Sequence, residues 1–295
     1  MSLHDPGPVL VTGATGYVGS ELIPELLRRD IGVRALAREP ARADLPAQVD
    51  ARKGDAVSGA GLHEALEGCR TAYYLIHSMG RGSGHDFAAR DREAAVNFGE
   101  AARAAGVERV IYLGGLGAAD SEHLRSRTQV AELLAQRVPL VHVRAAMVIG
   151  SGSASFVMLR SLVERLPVMI CPRWIDTRTQ PVAIRDVVRT LADVAAVDDA
   201  PDEIQLGGAD VLTYREMMER TAAVLGRRRP RIARVPVLTP RLSSYWVALV
   251  TPVEAGLAQP LIEGLGSEML VVDPPPAGIN DEPLGFEDAV RAALA

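Results

Sequence analysis

Short apolar runs alternate with amphipathic stretches along the first 150 residues of this 295-residue chain. The alternation predicts βαβ units around a parallel sheet, and the mostly continuous apolar runs are typical of strands buried on both faces. Strands are predicted at Val9–Thr12, Gly32–Ala37, Val49–Lys53, Thr71–Ile76, Arg109–Leu113 and Leu140–Arg144, with helices at about 17–29, 59–67, 86–105 and 127–136. The pattern therefore predicts an α/β fold with a doubly wound parallel sheet.

The regular alternation ends after Gly150, where a loop rich in glycine and serine precedes a segment with frequent prolines. The pattern there predicts helices at about 156–165, 185–197 and 213–226, a strand near 234–237 and a terminal helix at Phe286–Ala295. Thr213 and Glu216 have the spacing of a capping box at a helix start. We therefore expect two units, residues 1–150 and a smaller, irregular lobe of residues 151–295 that packs on the first and is not independent.

Three glycines, Gly13, Gly16 and Gly19, directly follow the first predicted strand and open the first predicted helix. Glycines at such a turn let the backbone approach a pyrophosphate, whose charge is then stabilised by the free amides of the helix N-terminus. The turn predicts a Rossmann-type dinucleotide-binding domain in residues 1–150, which leaves residues 151–295 as a substrate lobe. The cofactor contacts expected from this turn are Gly13, Thr15, Gly16, Tyr17 and Val18.

The end of the second strand distinguishes NADP from NAD. A carboxylate there would bind the ribose 2′-hydroxyl, whereas an arginine would bind a 2′-phosphate. Arg38 follows this strand with no acidic residue before Glu39, which favours NADP over NAD; Arg34 is the second candidate. Asp55 and Ala56, after the third strand, are expected at the adenine edge, although a helix-capping role for Asp55 is an alternative.

Charge and composition exclude several classes of protein. There are 37 acidic against 32 basic residues, a formal net charge of −5 and no basic run, which argues against a nucleic-acid partner. The two cysteines, Cys69 and Cys171, lie far apart and in no metal-binding pattern, so neither a disulfide nor a metal site is expected. No signal peptide and no apolar run of about 18 residues are seen, so we expect a cytoplasmic protein without a membrane partner. The apolar helix at 86–105 suggests a homodimer.

Several motifs together resemble the atypical short-chain dehydrogenase/reductases, and the NmrA-like NAD(P)H-binding branch in particular. They are Thr12–Gly19, Val33–Arg38, Gly54–Asp55, Tyr112–Gly115 and Gln180–Val187. The resemblance implies an NADP-dependent oxidoreductase that transfers a hydride to a carbonyl, a quinone or a similar small-molecule acceptor. It also implies an alternative, because the NmrA-like branch includes non-catalytic NADP-binding redox sensors or scaffolds.

The catalytic pair of the superfamily, Tyr-x-x-x-Lys on the helix after the fifth strand, is absent. Lys53 is the only lysine and lies in the third strand, and none of the six tyrosines is followed four residues later by lysine or arginine. Alignment by the fifth strand puts His123 and Arg127 at the positions of the pair. Residues four apart share one helix face, so His123 is a candidate acid and Arg127 a candidate cofactor contact. A surface position for both is the alternative.

The fourth strand ends at Ile76, His77 and Ser78, which we expect to line the cofactor cleft because ligands lie at the carboxyl ends of such strands. His77 is the second candidate acid; a histidine fixed by backbone hydrogen bonds is the alternative. An apolar substrate wall is expected from Met147, Phe156, Met158 and Trp174, each of which could equally be an ordinary core residue. Arg173 and Arg178 are expected at the cleft mouth.

Overall fold

The computed structural model describes residues 7–77, 87–117, 122–197, 199–235, 251–252 and 261–295, with only the backbone of residues 87, 122 and 123. The strands are β1 (Val9–Val11), β2 (Val33–Ala37), β3 (Asp50–Lys53), β4 (Thr71–Tyr74), β5 (Arg109–Gly115), β6 (Leu140–Ala145), β7 (Val148–Ile149), β8 (Val168–Cys171), β9 (Arg178–Thr179), β10 (Val182–Ala183), β11 (Glu203–Leu206), β12 (Leu212–Thr213) and β13 (Arg231–Arg234). The helices are α1 (Tyr17–Arg28), α2 (Leu62–Leu66), α3 (Phe87–Ala104), α4 (Glu122–Ala135), α5 (Ala154–Arg165), α6 (Ile184–Ala196), α7 (Tyr214–Val224) and α8 (Phe286–Leu294).

Seven parallel strands form the central sheet in the order β11-β6-β5-β4-β1-β2-β3. The order reverses between β1 and β4, which is the switch point of a doubly wound sheet. Alternate residues of each strand face opposite layers, as Tyr73 and Tyr74 do in β4. One layer contains α1 and α6, and the other contains α2, α3 and α4. The predicted Rossmann-type α/β class is confirmed.

The six predicted strands are all present, with ends that differ by at most two residues. Two differences matter for the site. Helix α4 begins at Glu122 rather than near residue 127, so positions 123 and 127 both lie on it. The sheet also contains a seventh strand, β11, which the sequence did not predict and which pairs with β6. The strand expected at 234–237 lies instead at Arg231–Arg234 and pairs with β8.

A second hydrophobic core lies under the smaller lobe. It joins α5, α7 and α8 with the short 3₁₀ turn at Arg173–Asp176, and its largest members include Phe156, Trp174 and Phe286. Parts of the chain beyond residue 150 also belong to the sheet domain. Helix α6 packs against α1, and β11 extends the central sheet. The division at residue 150 stays a prediction, but the sheet itself takes one strand from beyond it.

Helix α3 packs its apolar face onto the sheet, with Ala94, Ala95, Phe98 and Ala102 fully buried. The face that suggested a homodimer is therefore occupied within the chain. Within the described ranges, no helix combines the length and the apolar character needed to cross a bilayer. The same part of the chain contains no group of three or more His, Cys, Asp or Glu side chains that could hold a metal ion.

Candidate functional site

The glycine-rich turn connects β1 to α1 by close backbone packing. Gly13 has a φ of 65°, and a Cβ there would lie 2.6 Å from the carbonyl oxygen of Leu75. A Cβ on Gly19 would contact the Gly13 carbonyl and lie 2.9 Å from the Ala14 Cα. Helix α1 has no side-chain cap, so the first amides of the helix have no side-chain acceptor. The turn thus has the shape and the free donors that a pyrophosphate needs.

The Thr12 side chain ties this turn to the neighbouring strand. Its hydroxyl donates to the Tyr73 carbonyl at 2.9 Å and accepts from the Leu75 amide at 3.2 Å. The hydroxyl is buried, so both hydrogen bonds are shielded from water. The turn and the end of β4 therefore form one rigid edge of the site.

A cleft of about 430 Å³ runs from the glycine-rich turn across the carboxyl ends of β4, β5 and β6. This is the edge of a doubly wound sheet where ligands bind. The far wall comes from the smaller lobe, through residues 152–155 and the segment 261–269. Its described lining includes Gly13, Gly16, Tyr17, Val18, Leu75, His77, Leu113, Leu124, Arg127, Met147, Ser155, Tyr214, Leu265 and Met269.

Arg38 and Arg34 differ sharply in their surroundings. Arg38 is exposed just after β2 and, among the described residues, has no hydrogen bond or ion pair. Arg34 is committed to the fold, since its guanidinium pairs with Asp50 at 2.8 Å and donates to the carbonyls of Ala65 and Glu67. Of the two, only Arg38 has a guanidinium available to a ligand.

Asp55 and Ala56 follow β3 beside the same end of the sheet. The Asp55 carboxylate accepts from the Val57 amide at 2.8 Å, and Ala56 is buried in the layer that contains α2, α3 and α4. Asp55 therefore closes a local turn and does not cap a helix, since α2 begins at Leu62 and is preceded by Gly61. Thr15, at the glycine-rich turn, is exposed.

Tyr17 bridges the two halves of the cleft. Its ring lies so close to the loop after β7 that a Cβ on Gly152 would contact it, and a Cβ on Gly150 would contact its hydroxyl. Burial raises the pKa of Tyr17, and the nearby Glu21 carboxylate adds to the shift. The residue expected to contact the cofactor therefore also positions the loop that leads to the substrate wall.

Arg127 lies on the cleft-facing side of α4, one turn from Leu124. Its guanidinium donates to the Leu113 carbonyl at 2.8 Å, at the end of β5. The side chain of His123 lies outside the described residues; its backbone is in α4, four positions before Arg127. The helix therefore brings both positions to one face, and Arg127 to the cleft.

The end of β4 contributes two of its three expected residues to the described structure. His77 is exposed and lines the cleft, while Ile76 is half-buried and packs on the core beneath α3. Ser78 lies outside the described residues. His77 and Arg127 thus share one cleft, although β4 and α4 are far apart in sequence.

A buried ring stack supports the floor of the cleft behind Arg127. The Tyr112 hydroxyl donates to the Arg127 carbonyl at 3.2 Å, and the Tyr112 ring stacks on His142 with centroids 5.1 Å apart. Burial, assisted by the nearby Arg144, lowers the pKa of His142 to about 4. His142 is therefore neutral at physiological pH, and its ring lies where a Cβ on Gly114 would be.

The expected apolar wall is only partly present. Met147, Met158 and Trp174 line a second, apolar cavity of about 30 Å³ next to the main cleft, whereas Phe156 is buried in the core behind it. The arginines expected at the cleft mouth do not line it: Arg173 is exposed, and Arg178 pairs with Glu268 at 2.8 Å. Neither arginine is therefore among the described residues that line the cleft, and Arg178 is engaged by Glu268 instead.

Several cleft residues beyond residue 156 were not expected from the sequence, among them Tyr214, Leu265 and Met269. Only Tyr214 had a local signal, since it follows the Thr213 cap at the start of α7. Leu265 and Met269 reach the cleft through the packing of the smaller lobe, which no short motif encodes.

Comparisons with known proteins agree with this geometry. A family model described as NAD(P)H-binding matches residues 13–161. Ceramide reductase of Caulobacter vibrioides is 26% identical over 304 aligned positions, which cover 92% of this chain and 93% of that protein. Dihydroflavonol 4-reductase of Zea mays is 34% identical over 99 residues, 30% of this chain; the match spans only 26% of the length of the maize enzyme.

The fold is also found among solved structures. The triphenylmethane reductase of Citrobacter sp., complexed with NADP(H), superposes with a TM-score of 0.74 at 19% identity and covers 97% of this chain and 99% of that one. At this identity the likeness shows a shared fold, which extends through the smaller lobe as well as the sheet.

Proposed function

The chain belongs to the NAD(P)H-binding family of atypical short-chain dehydrogenase/reductases, and on this premise we propose that it is an NADP-dependent oxidoreductase acting on a carbonyl, quinone or similar small molecule. The observation that carries the proposal is one continuous cleft. It joins the glycine-rich turn to polar side chains at the strand ends and to an apolar wall in the smaller lobe. Cofactor and acceptor would therefore meet in one space.

The residues present fit a dinucleotide. Gly13, Gly16 and Gly19 leave a cradle that side chains would fill, and the start of α1 provides amides for a pyrophosphate. The exposed Arg38 guanidinium would bind a ribose 2′-phosphate, with Asp55 and Ala56 at the adenine edge. Thr15, Tyr17 and Val18 would complete the contacts around the turn. The NADP(H) bound in the Citrobacter enzyme supports this choice of cofactor.

Further contacts would come from the strand ends. Arg127 would hold the ribose next to the nicotinamide, since its charge is permanent and its guanidinium is already positioned by Leu113. The end of β4, with Ile76, His77 and Ser78, would contact the cofactor on the same side of the cleft as Arg127. Arginine in place of lysine cannot relay a proton, so Arg127 would bind and orient only.

When bound, the cofactor supplies the hydride. The chain's own task is to hold the acceptor near it, exclude water with the apolar wall and deliver a proton to the product. His77 is the proposed proton donor because it lines the cleft and an imidazole can act as a general acid. His123 is the second candidate, at the position of the missing tyrosine.

The direct test is to measure NADPH oxidation with a panel of carbonyls, quinones and imines, alongside NADPH binding by calorimetry. Turnover of any class that falls about 10-fold or more in His77→Ala, with NADPH affinity unchanged, supports the proposal. The alternative is a non-catalytic NADP-binding sensor or scaffold, which the missing Tyr-x-x-x-Lys pair favours. Tight NADPH binding with no acceptor consumed, and no effect of His77→Ala or His123→Ala on binding, would establish that alternative.

The cofactor preference has a separate test in Arg38→Ala. Loss of a charged hydrogen bond to the 2′-phosphate is expected to weaken NADPH binding by about 10- to 100-fold and to leave NADH binding unchanged. Arg42→Ala is the matched control, because Arg42 is an exposed arginine nearby that pairs with Glu39. Equal losses for the two cofactors would refute the role of Arg38.

A cytoplasmic location and a homodimer remain predictions. Since the apolar face of α3 packs within the chain, a dimer would need another surface. Sedimentation velocity of the full chain would give the oligomeric state.

A further inference from the structure

The far end of the cleft narrows into the small apolar cavity between α5, α7 and the 3₁₀ turn at Arg173–Asp176. Four residues line both spaces: Met147, Ser155, Tyr214 and Leu265. They therefore mark the junction between the cofactor cleft and the small cavity. The cavity, at about 30 Å³, has room for roughly two water-sized groups, and because its lining is apolar it favours an apolar occupant.

Ser155 is the accessible polar group at this junction. Its side chain is half-buried, and its hydroxyl has no hydrogen bond to any described residue. The Tyr214 hydroxyl and the Trp174 indole nitrogen also have no described partner, but both atoms are fully buried. Of these three groups, only the serine can reach a ligand without a movement of the wall.

The start of α5 adds donors beside this hydroxyl. Ser153 precedes the helix but does not cap it, since its hydroxyl donates to the Val148 carbonyl at 2.7 Å. The first hydrogen bond of the helix runs from the Val157 amide to the Ser153 carbonyl. The preceding amides, those of Ala154, Ser155 and Phe156, have no partner within the helix and lie at its positive end, which favours a ligand oxygen.

We propose that Ser155 binds the carbonyl oxygen of a ketone substrate, whose methyl- or ethyl-sized apolar substituent lies in the small cavity. The inference rests on the proposed reductase function and names the substrate class of that same site. In the overall reaction the carbonyl carbon accepts the hydride and the oxygen gains the electron pair of the π bond. That oxygen then takes a proton that comes ultimately from water, and Ser155 donates a hydrogen bond throughout and is unchanged.

Two probes that differ at one substituent test the substrate class. Acetophenone carries a methyl group beside its carbonyl, and phenylglyoxylate carries a carboxylate in that place. We expect acetophenone to bind and to be reduced at least about 10-fold better, because the apolar cavity cannot solvate a carboxylate. Binding is measured by saturation-transfer NMR on the NADP⁺-loaded protein, where no reduction takes place, and reduction is measured separately with NADPH.

Ser155→Ala tests the oxygen contact. We expect kcat/KM for acetophenone to fall by about 10- to 100-fold with NADPH affinity unchanged, and Ser155→Thr to restore part of the loss. Arg160→Ala, on the exposed side of α5, is the control and should behave as the unmodified protein.

Unchanged acetophenone binding and turnover in Ser155→Ala would overturn the proposal, as would a preference for phenylglyoxylate or no binding of acetophenone. Binding that depends on Ser155 but gives no reduction would support the site and refute the reductase function.

Discussion

The two ends of the cleft are built differently. The core of the cofactor end, its glycine-rich turn, comes from consecutive residues, Thr12 to Gly19, which follow one strand and open one helix. The substrate end combines β6, α5, α7 and the segment 261–269, which are separated by tens of residues. On the proposed function, the pyrophosphate would therefore be bound by a local motif, whereas the choice of substrate would depend on long-range packing. A family that keeps the glycine-rich turn and varies the packing of the smaller lobe can change substrates without changing its cofactor.

The largest effect is expected where the local motif is tightest. In Gly19→Ala the new Cβ would contact the backbone of Gly13 and Ala14, which no side-chain rearrangement can relieve. NADPH binding should fall by about 1000-fold, or about 4 kcal/mol. Calorimetry measures the loss. Gly32→Ala is the control, since its Cβ would meet only Pro8 at 3.7 Å or more; similar affinities for the two variants would show that the turn tolerates a side chain.

A smaller effect is expected beneath the cofactor end, at His142. Its pKa is lowered from 6.5 to about 4 in the folded chain, so between these values the unfolded chain binds more protons. The stability that the neutral His142 contributes is therefore fully present above about pH 6.5. The free energy of unfolding then falls progressively, by about 3 kcal/mol in all, as the pH decreases toward 4. Urea unfolding across this pH range gives the slope.

His142→Phe keeps a ring against Tyr112 and removes the titration. Its unfolding free energy should lose this pH dependence, and at neutral pH it should be unchanged or slightly higher, because the buried Nε2 has no hydrogen-bond partner among the described residues. If the variant retains the same slope as the unmodified chain, the acid sensitivity comes from other groups.

The energy of the contact between the Tyr17 ring and the loop at Gly152, which joins the two ends of the cleft, can be measured directly. Gly152→Ala would press its Cβ against the Tyr17 ring and should cost about 2 kcal/mol of stability. In a Tyr17→Ala background the same change should cost little, which gives a coupling energy of about 2 kcal/mol in a double-mutant cycle. Additive losses would mean that the ring and the loop are independent, and that Tyr17 serves the cofactor end alone.

The same contrast explains what could be predicted from sequence. Strands β1, β2, β4, β5 and β6 were predicted because each is a short, mainly apolar run between turn residues, whereas β3 is polar and mostly exposed. The glycine-rich turn was predicted because its spacing is local. Strand β11 was missed because its four residues, Glu203–Leu206, are too few and too polar to stand out as a run; they form a strand by pairing with β6. Leu265 and Met269 were missed because nothing near them in sequence shows which cleft they will line.

The smallest expected effect tests whether local signals also operate in the smaller lobe. The Thr213 hydroxyl accepts from the Glu216 amide at 3.2 Å, and the Glu216 carboxylate accepts from the Thr213 amide at 2.7 Å, so the predicted capping box is present. Thr213→Ala should cost about 1 kcal/mol, measured by urea unfolding. Because Tyr214 follows this cap and lines the cleft, the loss of the cap should also weaken acetophenone binding about twofold to fivefold while NADPH binding is unchanged. If stability falls and acetophenone binding does not, the start of α7 is a structural element that the substrate end does not depend on.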